Sequence, residues 1–328
     1  MGRSYSSIGF QLAPETIKGT AVPANKRLMG LTLEPTATIE TKQHRPSGSK
    51  VATVSQLITE STEADYDGPI DYNTIVYPLS SLFGATTPEA DATESTAYTW
   101  SWSFTGRGET QPQTFTVETG DAAGAKRFSY GTFSSMEMSI DRVGDNTISG
   151  SMIGQALELN KTLTPSPSDV DILPVNGDHW DVFADPSSED LGTTQLLAVY
   201  EAGLNFDDFF EQEFTINSAY RSFTSVYDAE EPSFEWSMML GADAVGEAYL
   251  TDVRNSAKKF IRLQATGPTI AGTVKHSIVI DMCVAVTEFD SFQSKDGLYV
   301  LPITYTLLYD KAWGRAMEIS VTNSLSAL

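Results

Sequence analysis

In Thr99-Trp100-Ser101-Trp102-Ser103-Phe104 large aromatics alternate strictly with hydroxyl residues. A period of two places all three rings on one face of an extended strand, whereas a helix would scatter them around its surface. Met136-Glu137-Met138-Ser139-Ile140-Asp141 repeats the pattern, as do Phe234-Glu235-Trp236-Ser237-Met238 and Ile303-Thr304-Tyr305-Thr306-Leu307. Such strands bury one face and wet the other, which is the habit of antiparallel sheets. Turn signals separate the runs at Gly120-Asp121, Gly144-Asp145-Asn146, Gly267-Pro268 and Lys295-Asp296-Gly297. The chain is therefore expected to be mainly β.

Two stretches have helical spacing. Residues 72–83 place Ile75, Val76, Leu79, Leu82 and Phe83 on one face with Gly84 as the stop, and Pro78 predicts a late start or a kink. Residues 244–256 repeat the spacing, with Asp243 as the cap. Between 158 and 196 the clusters Leu163-Thr164-Pro165-Ser166-Pro167-Ser168-Asp169 and Asp185-Pro186-Ser187-Ser188-Glu189-Asp190 predict a linker or long surface loop. It divides the chain into 1–157 and 197–328. Each part reads as strand, helix, then three strands, and the first part carries an insertion around 85–112. The shared order suggests two tandem domains from a duplication.

Charge limits the function. The chain of 328 residues has a net charge of −22. Residues 1–60 hold seven Lys/Arg (Arg3, Lys18, Lys26, Arg27, Lys42, Arg45, Lys50) against Glu15, Glu34, Glu40 and Glu60, a net of +3 that leaves −25 for the remainder. Such a body repels phosphate rather than gripping nucleic acid, and a basic N-terminal region suits head-to-tail pairing with an acidic body. No apolar run reaches the ~18–20 residues of a membrane span. The opening residues lack the apolar core of a secretory signal, so the expected site of synthesis is a cytoplasm. Cys283 is the single cysteine; it forms no intrachain disulfide and reads as a small buried hydrophobe.

Recognisable chemistry is missing. His44, His179 and His276 share no zinc spacing. Asp65-Tyr66-Asp67-Gly68 begins like a calcium loop, yet Ile70 and Val76 stand where an EF-hand needs Gly and Glu. Asp178, Asp181 and Asp185 read as a solvated loop. Gly106-Arg107-Gly108 completes neither a dinucleotide fingerprint nor a P-loop. The expectation is a protein that is not an enzyme, with no catalytic residue, cofactor or metal.

Ile8-Gly9-Phe10-Gln11 followed by Glu15-Thr16-Ile17-Lys18-Gly19-Thr20-Ala21-Val22-Pro23 resembles the opening of the tail tube proteins (major tail proteins) of long-tailed bacteriophages. A strand at 27–34 follows, then the polar excursion Thr41-Lys42-Gln43-His44-Arg45-Pro46-Ser47-Gly48. Tyr66-Asp67-Gly68-Pro69-Ile70 leads into the helix ending Leu82-Phe83-Gly84, and Phe115-Thr116-Val117-Glu118 and a hairpin over 133–140 and 148–154 complete the likeness. It covers most of residues 8–157.

The resemblance implies two tandem tail-tube-type β-sandwich or barrel domains, each flanked by a short α-helix. It implies a virion protein, assembled in the host cytoplasm, whose rings stack into a tube for genome ejection. Two barrels per chain favour three copies per ring, with pseudo-sixfold symmetry, over six. A loop at about 34–62 would reach the next ring, with Lys42, Arg45 and Lys50 as contacts. An acidic lumen would pass DNA without holding it, with Glu137, Asp141, Glu288 and Asp290 as lining candidates. Other expected partners are the tape-measure, terminator and baseplate proteins, and no membrane. The alternatives are another tail or head component of related fold (terminator, baseplate hub, decoration protein) or a carbohydrate-binding β-sandwich using Trp100, Trp102, Trp180 and Trp236. The shared face of Trp100, Trp102 and Phe104 argues for core packing instead.

Overall fold

The computed structural model describes residues 9–121, 124–216, 221–241, 257–289, 292–295 and 297–328. The first half begins with β1 (Gly9–Pro14), β2 (Lys26–Leu28), β3 (Thr32–His44) and β4 (Val54–Pro69), followed by helix α1 (Val76–Leu82). It continues through β5 (Glu89–Ala90), β6 (Tyr98–Phe104), β7 (Phe115–Asp121), β8 (Gly124–Phe133), β9 (Met136–Asp141) and β10 (Thr147–Gly154). Next come β11 (Glu158–Lys161), β12 (Ser168–Val170), a 3-10 turn at Gly177–His179 and β13 (Trp180–Asp185). The second half holds β14 (Val199–Asp207), β15 (Phe210–Glu213), β16 (Ser225–Asp228), β17 (Ser233–Gly241) and β18 (Lys259–Ala271). It ends with β19 (Val274–Phe289), β20 (Gln293–Lys295), β21 (Leu298–Leu307) and β22 (Met317–Asn323).

The two halves share one pairing scheme. β1 pairs β7 as β13 pairs β18, and β3 pairs β4 as β14 pairs β17. β4 pairs β10 as β17 pairs β21, and β7 pairs β8 as β18 pairs β19. β8 and β9 together pair β10 as β19 pairs β21, while β11 lies on β8 as β22 lies on β19. All these pairs are antiparallel. The parallel pairing of β12 with β2 makes the sheet mixed.

Among the described residues two strand pairings join the halves. β9 pairs β14 from Glu201↔Asp141 to Phe206↔Met136, so the sheet runs unbroken from one half to the other. β6, from the insertion in the first half, pairs with β22 at the end of the chain. Its rings pack as the alternation predicts: Trp100 is 1% exposed and Trp102 4%. Their indole N–H groups donate to Asn323 Oδ1 at 3.1 Å and to the Gly84 carbonyl at 3.0 Å. Phe104 meets Phe83, Phe209 and Phe234 in an aromatic cluster that links α1, β6 and β17.

A serine kink explains why β8 and β9 are two strands where β19 is one. The backbone N–H groups of Ser134 and Ser135 both donate to the Ser151 carbonyl, and the Ser134 and Ser135 hydroxyls both bond the Ser151 hydroxyl. These hydroxyls replace ladder bonds lost at the bend. Below the kink β10 pairs β8 at Met152↔Phe133, and above it β10 pairs β9 at Ser149↔Glu137.

Several expectations change. α1 starts at Val76, late as Pro78 requires, because a proline in the first turn forfeits no intrahelical bond. Gly84 follows its end with φ 97°, the left-handed stop. The second expected helix, 244–256, and its expected cap Asp243 lie outside the described residues. Residues 158–196 do not form only a linker or loop: β11, β12 and β13 lie there, paired to β8, β2 and β18. The expected strand at 27–34 is broken into β2 and β3. Gly267-Pro268 does not turn the chain: β18 runs through it with register shifts, and the turn comes at Gly272 (φ 52°). Proline's missing N–H disturbs the ladder there without ending the strand.

Candidate assembly surfaces

One face of the joined sheet spans β3-β4-β10-β9-β14-β17-β21-β19. Alternation sends Tyr66, Met138, Leu204, Trp236 and Tyr305 into the core and their neighbours to solvent. In register across the strands lie Thr32, Asp67, Ser149, Glu137, Asn205 and Glu235. The next row is Thr147, Ser139, Gly203, Ser237, Thr304 and Glu288. Asp65, Asp141, Glu201 and Asp207 add carboxylates on the same outward positions. A shallow groove of about 350 Å³ lies on this face, lined by Glu137, Asp141, Glu201 and Gly203 among others.

Glu137, Asp141 and Glu288 all stand on this face; Asp290 lies outside the described residues. Lys295, at the end of β20, pairs with Asp141 at 3.4 Å and with Glu201. The backbone N–H of Val143 holds the Asp141 carboxyl below its ordinary range, with help from Gly144 and Lys295 against partial burial. The Lys295 ammonium is raised despite burial because Glu201 and Asp141 favour its charged form.

The second feature is a ribbon. Beyond Thr38, which pairs with the buried Ser61, the β3–β4 pair leaves the body, and every β3 residue from 36 to 44 is exposed. At ~3.3 Å per residue the six strand residues 39–44 extend about 20 Å. Lys42, Arg45 and Lys50 are exposed on it and pair with no acid among the described residues. Ile39, Val51, Val54 and Ile58 are exposed as well, at 54%, 69%, 55% and 42%. The stretch read as a loop at about 34–62 is thus mostly regular strand with a bulge at Glu40/Thr41. Alternation with threonine marks Ile39 as a strand residue, and only the structure shows these aliphatics standing exposed.

The third feature is a pair of open edges. Among the described residues no second strand pairs with β3, and residues 285–289 of β19 carry β21 on one side alone. By the shared pairing scheme β3 corresponds to β14, and the end of β19 corresponds to β9. Those two counterparts are the strands that pair within the chain.

The remaining candidates are structural. Trp236 is 2% exposed and, like Trp100 and Trp102, cannot stack on a sugar; Trp180 alone borders a groove. His179 and His276, distant in sequence, flank Tyr72, whose hydroxyl lies 3.2 Å from His179 Nδ1; His44 is on the ribbon. Asp65 and Asp67 are strand residues, Asp181 bonds Gln195, and Asp185 bonds its own loop. Among the described residues no group of three His, Cys, Asp or Glu could hold a metal ion, and no helix is long and apolar enough to cross a membrane. The chain matches no model of a known protein family and no curated protein sequence.

Proposed function

We propose that this protein is the structural subunit of a bacteriophage tail tube, assembling into stacked rings with an acidic lumen. The observation that carries the reading is the β9–β14 junction with its counterparts, β3 and the end of β19, each of which has one edge without a partner strand among the described residues. A second copy supplying β3 to β19 would repeat between chains the pairing that β9 and β14 make within one. Repetition of that step closes a ring and leaves no free sheet edge.

The likeness between the halves supports two barrel-type units per chain, and so three copies per ring with pseudo-sixfold symmetry. The acidic sheet face then lines the lumen, with Glu137, Asp141 and Glu288 in it. Carboxylates there offer phosphate no counterion-release gain, so DNA slides past. The ribbon, with Lys42, Arg45 and Lys50, is the arm that reaches the next ring. Tape-measure, terminator and baseplate proteins would meet the tube inside and at its ends, and the subunit catalyses nothing.

Negative-stain microscopy of the purified protein tests this directly. Stacked rings with a central hole and three chains per ring are expected. Single rings that never stack would point to a terminator, hub or decoration protein, and six chains per ring would remove the two-barrel argument. Protein that stays monomeric at its solubility limit would sink the reading.

A further inference from the structure

The ribbon and the β9–β10 turn lie at opposite poles of the sheet. β4 runs from the ribbon, at Val54, to Pro69, which pairs with Thr147 beside the turn at 142–146. That far pole exposes apolar side chains: Val143 is 94% exposed and Leu197 87%. Phe292 and Tyr299 stack there at 4.7 Å on the neighbouring hairpin. Between β13 and β14 opens a groove of about 430 Å³. Trp180, Val182 and Val199 form its apolar part, and Asp178, Asp181 and Glu201, the last paired with Lys295, outnumber the one cation in its lining, Arg142.

Resting on the tube reading, we propose that this groove is the socket for the ribbon tip of a second copy stacked head to tail. The two surfaces are complementary. The outer ribbon, residues 40 to 59, carries Lys42, Arg45, Lys50 and a single acid, Glu40, against the acidic rim. Its exposed Val51 and Val54 match the apolar floor and Leu197. Because plug and socket occupy opposite poles, the contact is heterologous and repeats without closing, as a filament requires. Matching charge also sets the direction of stacking and rejects socket-to-socket encounters.

The test uses the full chain in three variants: Lys42→Glu/Arg45→Glu/Lys50→Glu on the ribbon, Asp178→Lys/Asp181→Lys in the groove, and the two sets combined. Sedimentation and microscopy measure the concentration at which stacks appear. Each set alone is expected to raise it at least tenfold, and the combination to recover most of the loss. Leu197→Arg, at a position too exposed to threaten the fold, is expected to block stacking independently. In a separate chain carrying Val51→Cys and Leu197→Cys, mild oxidation is expected to give a covalent ladder on non-reducing gels. If the groove variants stack as well as the unmodified chain and no ladder forms, the socket is overturned while the tube reading stands. An unmodified chain that never assembles overturns both.

Discussion

Glu15 shows how a residue in an N-terminal motif acts through packing. Its side chain is buried, and its two carboxylate oxygens accept from Gly19 N at 2.7 Å, Thr114 Oγ1 at 2.9 Å, Thr116 Oγ1 at 2.9 Å and Tyr130 N at 3.0 Å. Gly19 meets it at φ 77°, a conformation that glycine adopts without strain. The Glu-Thr-Ile-Lys-Gly segment therefore locks the turn after β1 onto β7 and β8. Replacing Glu15 with Ala strands four donors and is expected to cost about 3 kcal/mol or more in chemical denaturation. Asp185, wholly buried, plays the same part in its loop, accepting from Gly192 N, Thr193 N, Thr193 Oγ1 and Thr194 N. Burial alone would raise its pKa, but the bonds from Thr194, Thr193 and Gly192 hold it below the ordinary value. A lowered folded-state pKa stabilises the fold above the unfolded value and loses that contribution as pH falls. Melting curves are thus expected to drop below about pH 4, and Asp185→Asn to flatten that limb while lowering stability at neutral pH. Cys283 is buried, with its thiol pushed up to about 11 by burial, so thiol reagents are expected to label it only after unfolding.

The ribbon and the serine kink make opposite predictions for the elements that contain them. Among the described residues no body residue hydrogen-bonds to residues 40–59, so replacing them with an Asn-Gly turn is expected to leave the melting temperature within about 2 °C, given the small cost of changing an exposed loop. The same variant is expected to lose stacking in sedimentation assays. At the kink the chain has no room: a Cβ on Gly150 would lie 2.3 Å from the Ser135 carbonyl oxygen and 2.8 Å from the Tyr66 hydroxyl. Gly150→Ala is expected to destabilise the protein by about 2 kcal/mol or more, read as a shift in denaturation midpoint at unchanged slope.

At the scale of the molecule, the acidic sheet face is where the proposed conduit role can be tested. Glu137, Glu235 and Glu288 are exposed on it without supporting the core. Changing all three to Lys is expected to leave folding intact and make assembled particles retain DNA. Retention should weaken with added salt by about one unit of log–log slope for each lysine that meets a phosphate. A filter-binding salt series checks this, with the unmodified protein retaining none. The two connections between halves, β9–β14 and β6–β22, also predict one cooperative unfolding transition, since neither half completes its sheet alone.

The period-two runs by themselves determined the mainly β class and the inward side of β6, β9, β17 and β21, because alternation fixes which face of a strand is apolar wherever it lies. Gly84 and Pro78 likewise marked the limits of α1 through backbone sterics. The net charge marked an acidic body, but its placement on one face needed the register of eight strands, which alternation within single strands does not contain. The pairing of β9 with β14 and of β6 with β22 is long-range, set by how whole sheets bury their apolar faces together. For the same reason a stretch rich in Pro, Ser and acids gained three strands from the edges it meets. Only the tertiary structure set the basic ribbon and the acidic groove at opposite poles, because that polarity belongs to the sheet rather than to any segment of the chain.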